Sequence, residues 1–311
     1  MNFDDDNLLK EQNSDQILQA VLEVYPQAKL FFFDEIQNLK NWELFLNKLH
    51  RRGYNLIITG SNANLLSQEL ATALTGRHLA WEILPFSFKE FLKVQNFEVK
   101  EAEINIPENK ARLLNYLHQY LQTGGFPEPL IKNLELKNYL ETLFDSILFK
   151  DAVKRYNLRF SQKMYDLAVY LITNFASQFS FTKLKNILEF RSVLTVQNYV
   201  GYLEKSFLIF ILQRFSFKLK EQIKSPKKVY IIDTGFITAK AFQISPNLGK
   251  LMENLVFIEF LRKGYKISQE LFYYQTANGQ EVDFLIKQGL KITQLIQVCY
   301  DLTDEQTKKR E

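Results

Sequence analysis

An apolar run that stops on two carboxylates, Leu30-Phe31-Phe32-Phe33-Asp34-Glu35-Ile36-Gln37, constrains this chain more than any other segment. A short continuous apolar run is the pattern of a fully buried parallel strand. Open α/β sheets hold ligands at the C-terminal ends of such strands, so Asp34 and Glu35 are expected at a site and not in a core. Asn38 to His50 follows with Leu39, Trp42, Leu46 and Leu49 at helical spacing, and Tyr54 to Thr59 reads as a second buried strand ending in Gly60-Ser61-Asn62. Strand, helix, strand with polar residues at each strand tip is the βαβ unit of a doubly wound sheet.

Two roles fit the acidic tip. Adjacent carboxylates in this place can serve Mg-nucleotide hydrolysis, the first holding Mg²⁺ and the second orienting or deprotonating the attacking water. They can also cap the helix that follows. Further segments bear on the choice. LFFFDEIQ, IITGSNANLLS, LTGRH and ILPFSFKEF, in that order, resemble the Walker B strand, sensor strand, arginine-bearing segment and following strand of a prokaryotic AAA-superfamily ATP-binding family. Members of that family carry an AAA-type ATPase domain followed by a C-terminal domain of unknown function. The resemblance implies ATP and Mg as cofactors, Asp34 as the Mg²⁺ ligand and Glu35 as the catalytic base. It also implies Ser61 or Asn62 as the sensor to the γ-phosphate and Arg77 as a phosphate-contacting arginine. A solvated loop arginine is the alternative for Arg77.

The family's phosphate-binding loop, G-x-x-x-x-G-K-[ST], is not in the chain. The 29 residues before Leu30 hold no glycine, and none of the 11 glycines is followed by Lys and then Ser or Thr. Met1 to Asp5 resembles the family's second strand, so the resemblance implies an N-terminally truncated member. An ATPase is implied for the family and stays open for this chain. The end at Thr307-Lys308-Lys309-Arg310-Glu311, just after a motif strand, implies a shortened C-terminal domain as well.

A chain of 311 residues with 46% hydrophobic content is long enough for two or three domains. The expected fold class is α/β: a partial doubly wound P-loop NTPase sheet over residues 1–105, a helical and winged-helix region over 106–240, and a restriction-endonuclease-like α/β domain over 241–311. A net charge of +4 is compatible with a nucleic-acid partner without requiring one. The single cysteine, Cys299, excludes a disulfide framework and fits a reducing cytoplasm. No run approaches the roughly 20 apolar residues of a membrane span, and no signal peptide precedes the acidic N-terminus. A cytoplasmic protein without a membrane partner is the expectation.

Helices are expected around Ala111–Gln122 and Lys137–Lys150, separated by the loop Thr123-Gly124-Gly125-Phe126-Pro127-Glu128-Pro129. That loop is read either as a tight interdomain turn or as a nucleotide sensor. Lys150, Asp151, Lys154 and Arg155 read as a solvated helix face. Beyond them, Met164–Ala176, Thr182–Leu188 and Thr195–Lys205 read as three helices, and Phe207–Phe215 and Lys228–Ile232 as a β-hairpin, the outline of a winged helix. The loop Lys218–Lys228 is a basic wing in which Lys220, Lys224, Lys227 and Lys228 are candidate contacts to a DNA backbone, with Gln197 and Asn198 as base readers. A protein-docking module is the competing reading.

Leu248–Arg262 reads as a helix carrying Glu253, followed by strands at Phe272–Gln275, Glu281–Ile286 and Leu295–Tyr300. This segment resembles the restriction-endonuclease-like core, where Asp and Glu hold a metal and Lys activates water. Glu253, Glu281 and Asp283 are the candidate ligands. The third motif reads Gln297-Val298-Cys299, in which Gln is a weak Mg²⁺ ligand and Cys cannot replace an ammonium, so a retained fold without cleavage is expected. Cys299 reads as an inert core thiol. Two function classes follow: a switch ATPase whose nucleotide state moves partner- or DNA-binding modules, or a non-catalytic binding remnant that has lost nucleotide binding.

Overall fold

The structure, a computed structural model, describes residues 1–5, 8, 13–60, 77–159, 161–242 and 247–300. It divides into two compact units, 1–82 and 83–311.

The first unit holds helix α1 (Ser14–Val24), strand β1 (Leu30–Phe33), a 3₁₀ turn (Ile36–Asn38), helix α2 (Trp42–Arg51) and strand β2 (Asn55–Ile58). β1 and β2 are parallel, with Leu30 opposite Asn55 and Phe33 opposite Ile58. Met1–Phe3 runs along the other side of β1 through a parallel bridge between Asn2 and Asp34. Burial corrects the expectation of fully buried strands. Phe31 and Phe33 enter a core with Ile17, Leu18, Phe45 and Leu46, whereas Leu30 is 57% and Phe32 51% exposed, and Ile57 of β2 is exposed too. The cause is that both helices cover one face: Ile17 and Leu18 of α1 and Phe45 and Leu46 of α2 share one core with Phe31 and Phe33, and Lys48 of α2 pairs with Asp15 of α1.

The second unit begins with helices α3 (Phe88–Val94), α4 (Pro107–Thr123), α5 (Pro127–Lys132) and α6 (Leu136–Ser146). Pro107 and Pro127 stand in the first turns of their helices, where a missing N–H costs nothing. α6 runs on into a π-helical segment, Ile147–Lys154. Here the solvated charge face holds for Lys150 and Lys154, which are exposed, and is corrected for Asp151. The widened turn carries Asp151 inward beside Leu148 and Ala152, where it is buried and pairs with Arg155 at 3.3 Å.

Next come α7 (Ser161–Thr173), β3 (Ser177–Phe179), α8 (Phe181–Ile187), α9 (Val193–Lys205), β4 (Ile209–Gln213), α10 (Leu219–Lys224) and β5 (Lys227–Ile231). The strands form an antiparallel sheet in the order β3-β5-β4. Ser180 and Ser192 cap α8 and α9, which is why each begins where it does. The expected wing loop is corrected: α10 occupies its middle, and Lys227 and Lys228 belong to β5. Helix α11 (Thr234–Lys240) and helix α12 (Leu248–Arg262) lead into an antiparallel meander, β6 (Leu271–Gln275), β7 (Glu281–Gln288) and β8 (Lys291–Ile296). A parallel bridge between Arg214 and Tyr273 joins the end of β4 to β6. One hydrophobic core extends from Phe91 to Ile286, with Phe257 of α12 stacked on Tyr230 of β5 at 4.1 Å and also against Phe284 of β7.

Candidate functional site

In the first unit the acidic tip is built from the ends of two neighbouring strands. The Thr59 hydroxyl donates to the Asp34 carboxylate. The Glu35 N–H donates to Thr59 Oγ1 at 3.4 Å, and Gln37 Nε2 donates to Glu35 Oε2 at 2.5 Å. Glu35 has φ 52° and ψ 41°, a left-handed conformation that costs a residue with a Cβ about 1 kcal/mol or more. The chain thereby leaves the strand at Glu35. Neither carboxylate acts as a helix cap: the 3₁₀ turn after Glu35 has no side-chain cap, and α2 follows Asn41.

Asp34 and Thr59 are oxygen donors of the kind Mg²⁺ prefers. The G-x-x-x-x-G-K-[ST] loop that would hold the phosphates does not occur in the sequence. Ser61 and Asn62 lie outside the described residues. Arg77 is exposed in irregular chain. Thr59 escaped the sequence reading, although a hydroxyl at a strand tip beside an acidic tip is a recognisable signal.

The second unit gathers the other candidates around an ammonium. Lys228, only 1% exposed, places Nζ 2.6 Å from Glu253 Oε1, 2.6 Å from Glu281 Oε1 and 3.3 Å from Asp283 Oδ1. Tyr230 OH donates to Glu253 Oε1 at 2.7 Å. Gln178 of β3 donates to Glu281, and the Val298 N–H donates to Asp283 Oδ2 at 2.9 Å. Burial works against the Lys228 charge, but the three carboxylates outweigh it and hold the ammonium above the usual lysine range. Burial also pushes the Glu253 carboxyl up to about 7, opposed by Lys228 and reinforced by Asp283. Both shifts express one fact: three carboxylates share a single cation in a place water barely reaches.

Two expectations are corrected here. Lys228 cannot touch a DNA backbone, because period-2 alternation along β5 turns it inward on the face that carries Tyr230. Lys227 is half-buried, donating to the carbonyls of Ile223 and Ser225 at 2.8 and 2.9 Å, and burial lowers its pKa. Lys220 and Lys224 remain exposed on α10. Cys299 is neither in a strand nor fully buried, since β8 ends at Ile296. Gln297 Oε1 accepts from the Asp283 N–H at 3.2 Å, so it braces β7. Among the described residues no group of three or more His, Cys, Asp and Glu is placed to hold a metal, and no helix is long and apolar enough to cross a membrane.

The loop at Gly124-Gly125 closes on the same framework. Asp233, buried at the start of α11, accepts from the Gly125 N–H at 2.7 Å and from the Gly235 N–H at 2.8 Å. Burial pushes its carboxyl up to about 6 even though those two amides favour the charged form.

The first unit thus presents a parallel β-α-β tip ending in Asp-Glu, and the second is a mixed helical and β unit. Residues 1–92 match the family described as an AAA domain, 114–247 a domain of unknown function (DUF8612) and 248–309 another (DUF4143). An uncharacterized protein of Methanocaldococcus jannaschii is 41% identical over 100% of this chain and 70% of its own length. One of Haemophilus influenzae is 30% identical over 94% of this chain and 71% of its own. The chain belongs to this AAA-like ATPase family, in which an AAA domain precedes two domains of unknown function. No solved structure matches the chain significantly.

Proposed function

We propose that the chain serves an AAA-type, nucleotide-responsive switch in which residues 83–311 are a non-cleaving module that binds a partner. Residues 1–82 supply the metal-facing part of the nucleotide site. The observation that carries this reading is the tip itself, where Thr59 orients the Asp34 carboxylate and the left-handed Glu35 turns the chain out of β1. In this reading Asp34 holds Mg²⁺, Glu35 is the base, Ser61 or Asn62 senses the γ-phosphate and Arg77 contacts phosphate. The phosphate cradle is not among these residues, so titration calorimetry of this chain with Mg-ATP is expected to show nothing tighter than roughly millimolar. Low-micromolar binding would overturn the division of labour.

The partner is read as DNA on one specific ground. Three helices and the β3-β5-β4 sheet follow one another in the order of a winged helix, and the exposed side of α9 carries Gln197 and Asn198, with Arg191 just before it. Lys218, Lys220 and Lys224 add exposed positive charge on and beside α10. Fluorescence anisotropy with duplex DNA is expected to show salt-sensitive binding. The Lys220→Gln/Lys224→Gln variant should weaken it several-fold and flatten the logarithmic salt slope by up to about 2. An unchanged slope would leave a protein as the partner.

A further inference from the structure

We propose that Lys228 is the resident cation of a latent divalent-metal site. Its ammonium fills the point on which Glu253, Glu281 and Asp283 converge, fastens β5 to α12 and β7, and keeps metal ions out.

The geometry is that of an ion site with its centre already filled. The carboxylates come from α12 and β7, the ammonium from β5, and the three meet although 25, 53 and 55 residues separate Lys228 from Glu253, Glu281 and Asp283. Outside donors orient the carboxylates. Tyr230 fixes Glu253, Gln178 holds the Glu281 oxygen that faces away from Lys228, and Val298 holds the distal oxygen of Asp283. Oε1 of Glu253, which also accepts from Tyr230, Oε1 of Glu281 and Oδ1 of Asp283 are aimed at Nζ. Two of the Nζ–oxygen distances, both 2.6 Å, already match a Ca²⁺–oxygen bond of about 2.3–2.6 Å.

Charge points the same way. Three carboxylates around one ammonium leave negative charge in excess, so a divalent ion would neutralise the cluster better than Lys228 does. It cannot enter while a covalently tethered cation holds the centre. The lysine absent from Gln297-Val298-Cys299 is not simply lost, since an ammonium reaches the acids from another strand. Because it is only 1% exposed, it holds the structure together and has no access to a substrate.

The test uses the purified full chain, with Ca²⁺ and Mn²⁺ as probes. Wild type is expected to melt at the same temperature in EDTA and in either metal, and to show no bound Mn²⁺ by electron paramagnetic resonance. Lys228→Ala should melt roughly 10 °C lower in EDTA, because removing one partner strands buried charge. Ca²⁺ or Mn²⁺ should restore about half of that loss or more. Adding Asp283→Asn to Lys228→Ala should abolish the restoration. Stoichiometric Mn²⁺ binding by wild type that Asp283→Asn removes would overturn the proposal. So would a Lys228→Ala protein that metal fails to stabilise, or one that stays unfolded in EDTA and in metal alike.

Discussion

Gly125→Ala is expected to cost the second unit about 4 kcal/mol or more and to lower its melting temperature by roughly 10 °C. A Cβ at this position would lie 2.2 Å from the Phe86 carbonyl oxygen and 3.1 Å from two further backbone atoms of Phe86. Backbone cannot swing aside as a side chain can. The contact is also doubly anchored, since the Phe86 N–H donates to the Gly125 carbonyl at 2.7 Å and the Gly125 N–H donates to buried Asp233 at the same distance. Relieving the clash breaks one bond or the other, and losing the second leaves a buried carboxylate short of a donor. Gly201→Ala is the matched control. It lies within α9, nothing stands within 4 Å of its added Cβ, and the change should stabilise by about 0.5–1 kcal/mol. Urea denaturation of both variants checks the pair. Equal midpoints would show that the 123–127 loop is looser than its contacts require.

Asn254→Leu is expected to be comparably severe, at about 4 kcal/mol. Asn254 is fully buried on α12, and its side chain both accepts from the Ile231 N–H and donates to the Ile231 carbonyl, each at 2.8 Å. β3 pairs with β5 only as far as Val229, so Asn254 takes over the ladder where the neighbouring strand has stopped. Leucine fills a similar volume and leaves two buried backbone groups unpaired, each worth about 1–3 kcal/mol. Asn254→Asp keeps the acceptor but sets a second oxygen against the Ile231 carbonyl, so its cost should be large at pH 7 and smaller near pH 4, where the protonated acid can donate. Thermal melts in which the gap between Asn254→Asp and wild type does not change with pH would mean that packing, and not the hydrogen bonds, sets the cost.

Local signals were legible wherever a residue's role is set by its neighbours in sequence. Helix α12 spans the predicted Leu248–Arg262 because its apolar residues hold helical spacing without a break, and β4 and β5 pair as the expected hairpin. Asp34 and Glu35 lie at a strand tip, as the change from Phe33 to Asp34 suggested. What escaped was set by distant chain. Phe32 looks like core in the sequence and is exposed, because which face of β1 is covered depends on where α1 and α2 pack. Lys228 looks like part of a basic wing, and only the placement of α12 and β7 shows three carboxylates waiting for it. The π-helical segment at Ile147–Lys154 winds with a wider turn than the α-helical period assumes, so that period places Asp151 on the wrong face. Gly124-Gly125 announced a turn, but the reason for glycine there is Phe86 and Asp233, remote residues that no local rule names.

The Arg214–Tyr273 bridge has a consequence for how this unit behaves in a crowded solution. Two separate three-stranded sheets would present four open edges, each a template for pairing with another chain. With β4 held against β6, the outer strands that remain among the described residues are β3 and β8. β3 is only three residues long, a poor template. Among the described residues of this unit, self-association through strand pairing is thereby narrowed to β8, where Lys291 stands at the first position and an incoming strand would have to accommodate its charge.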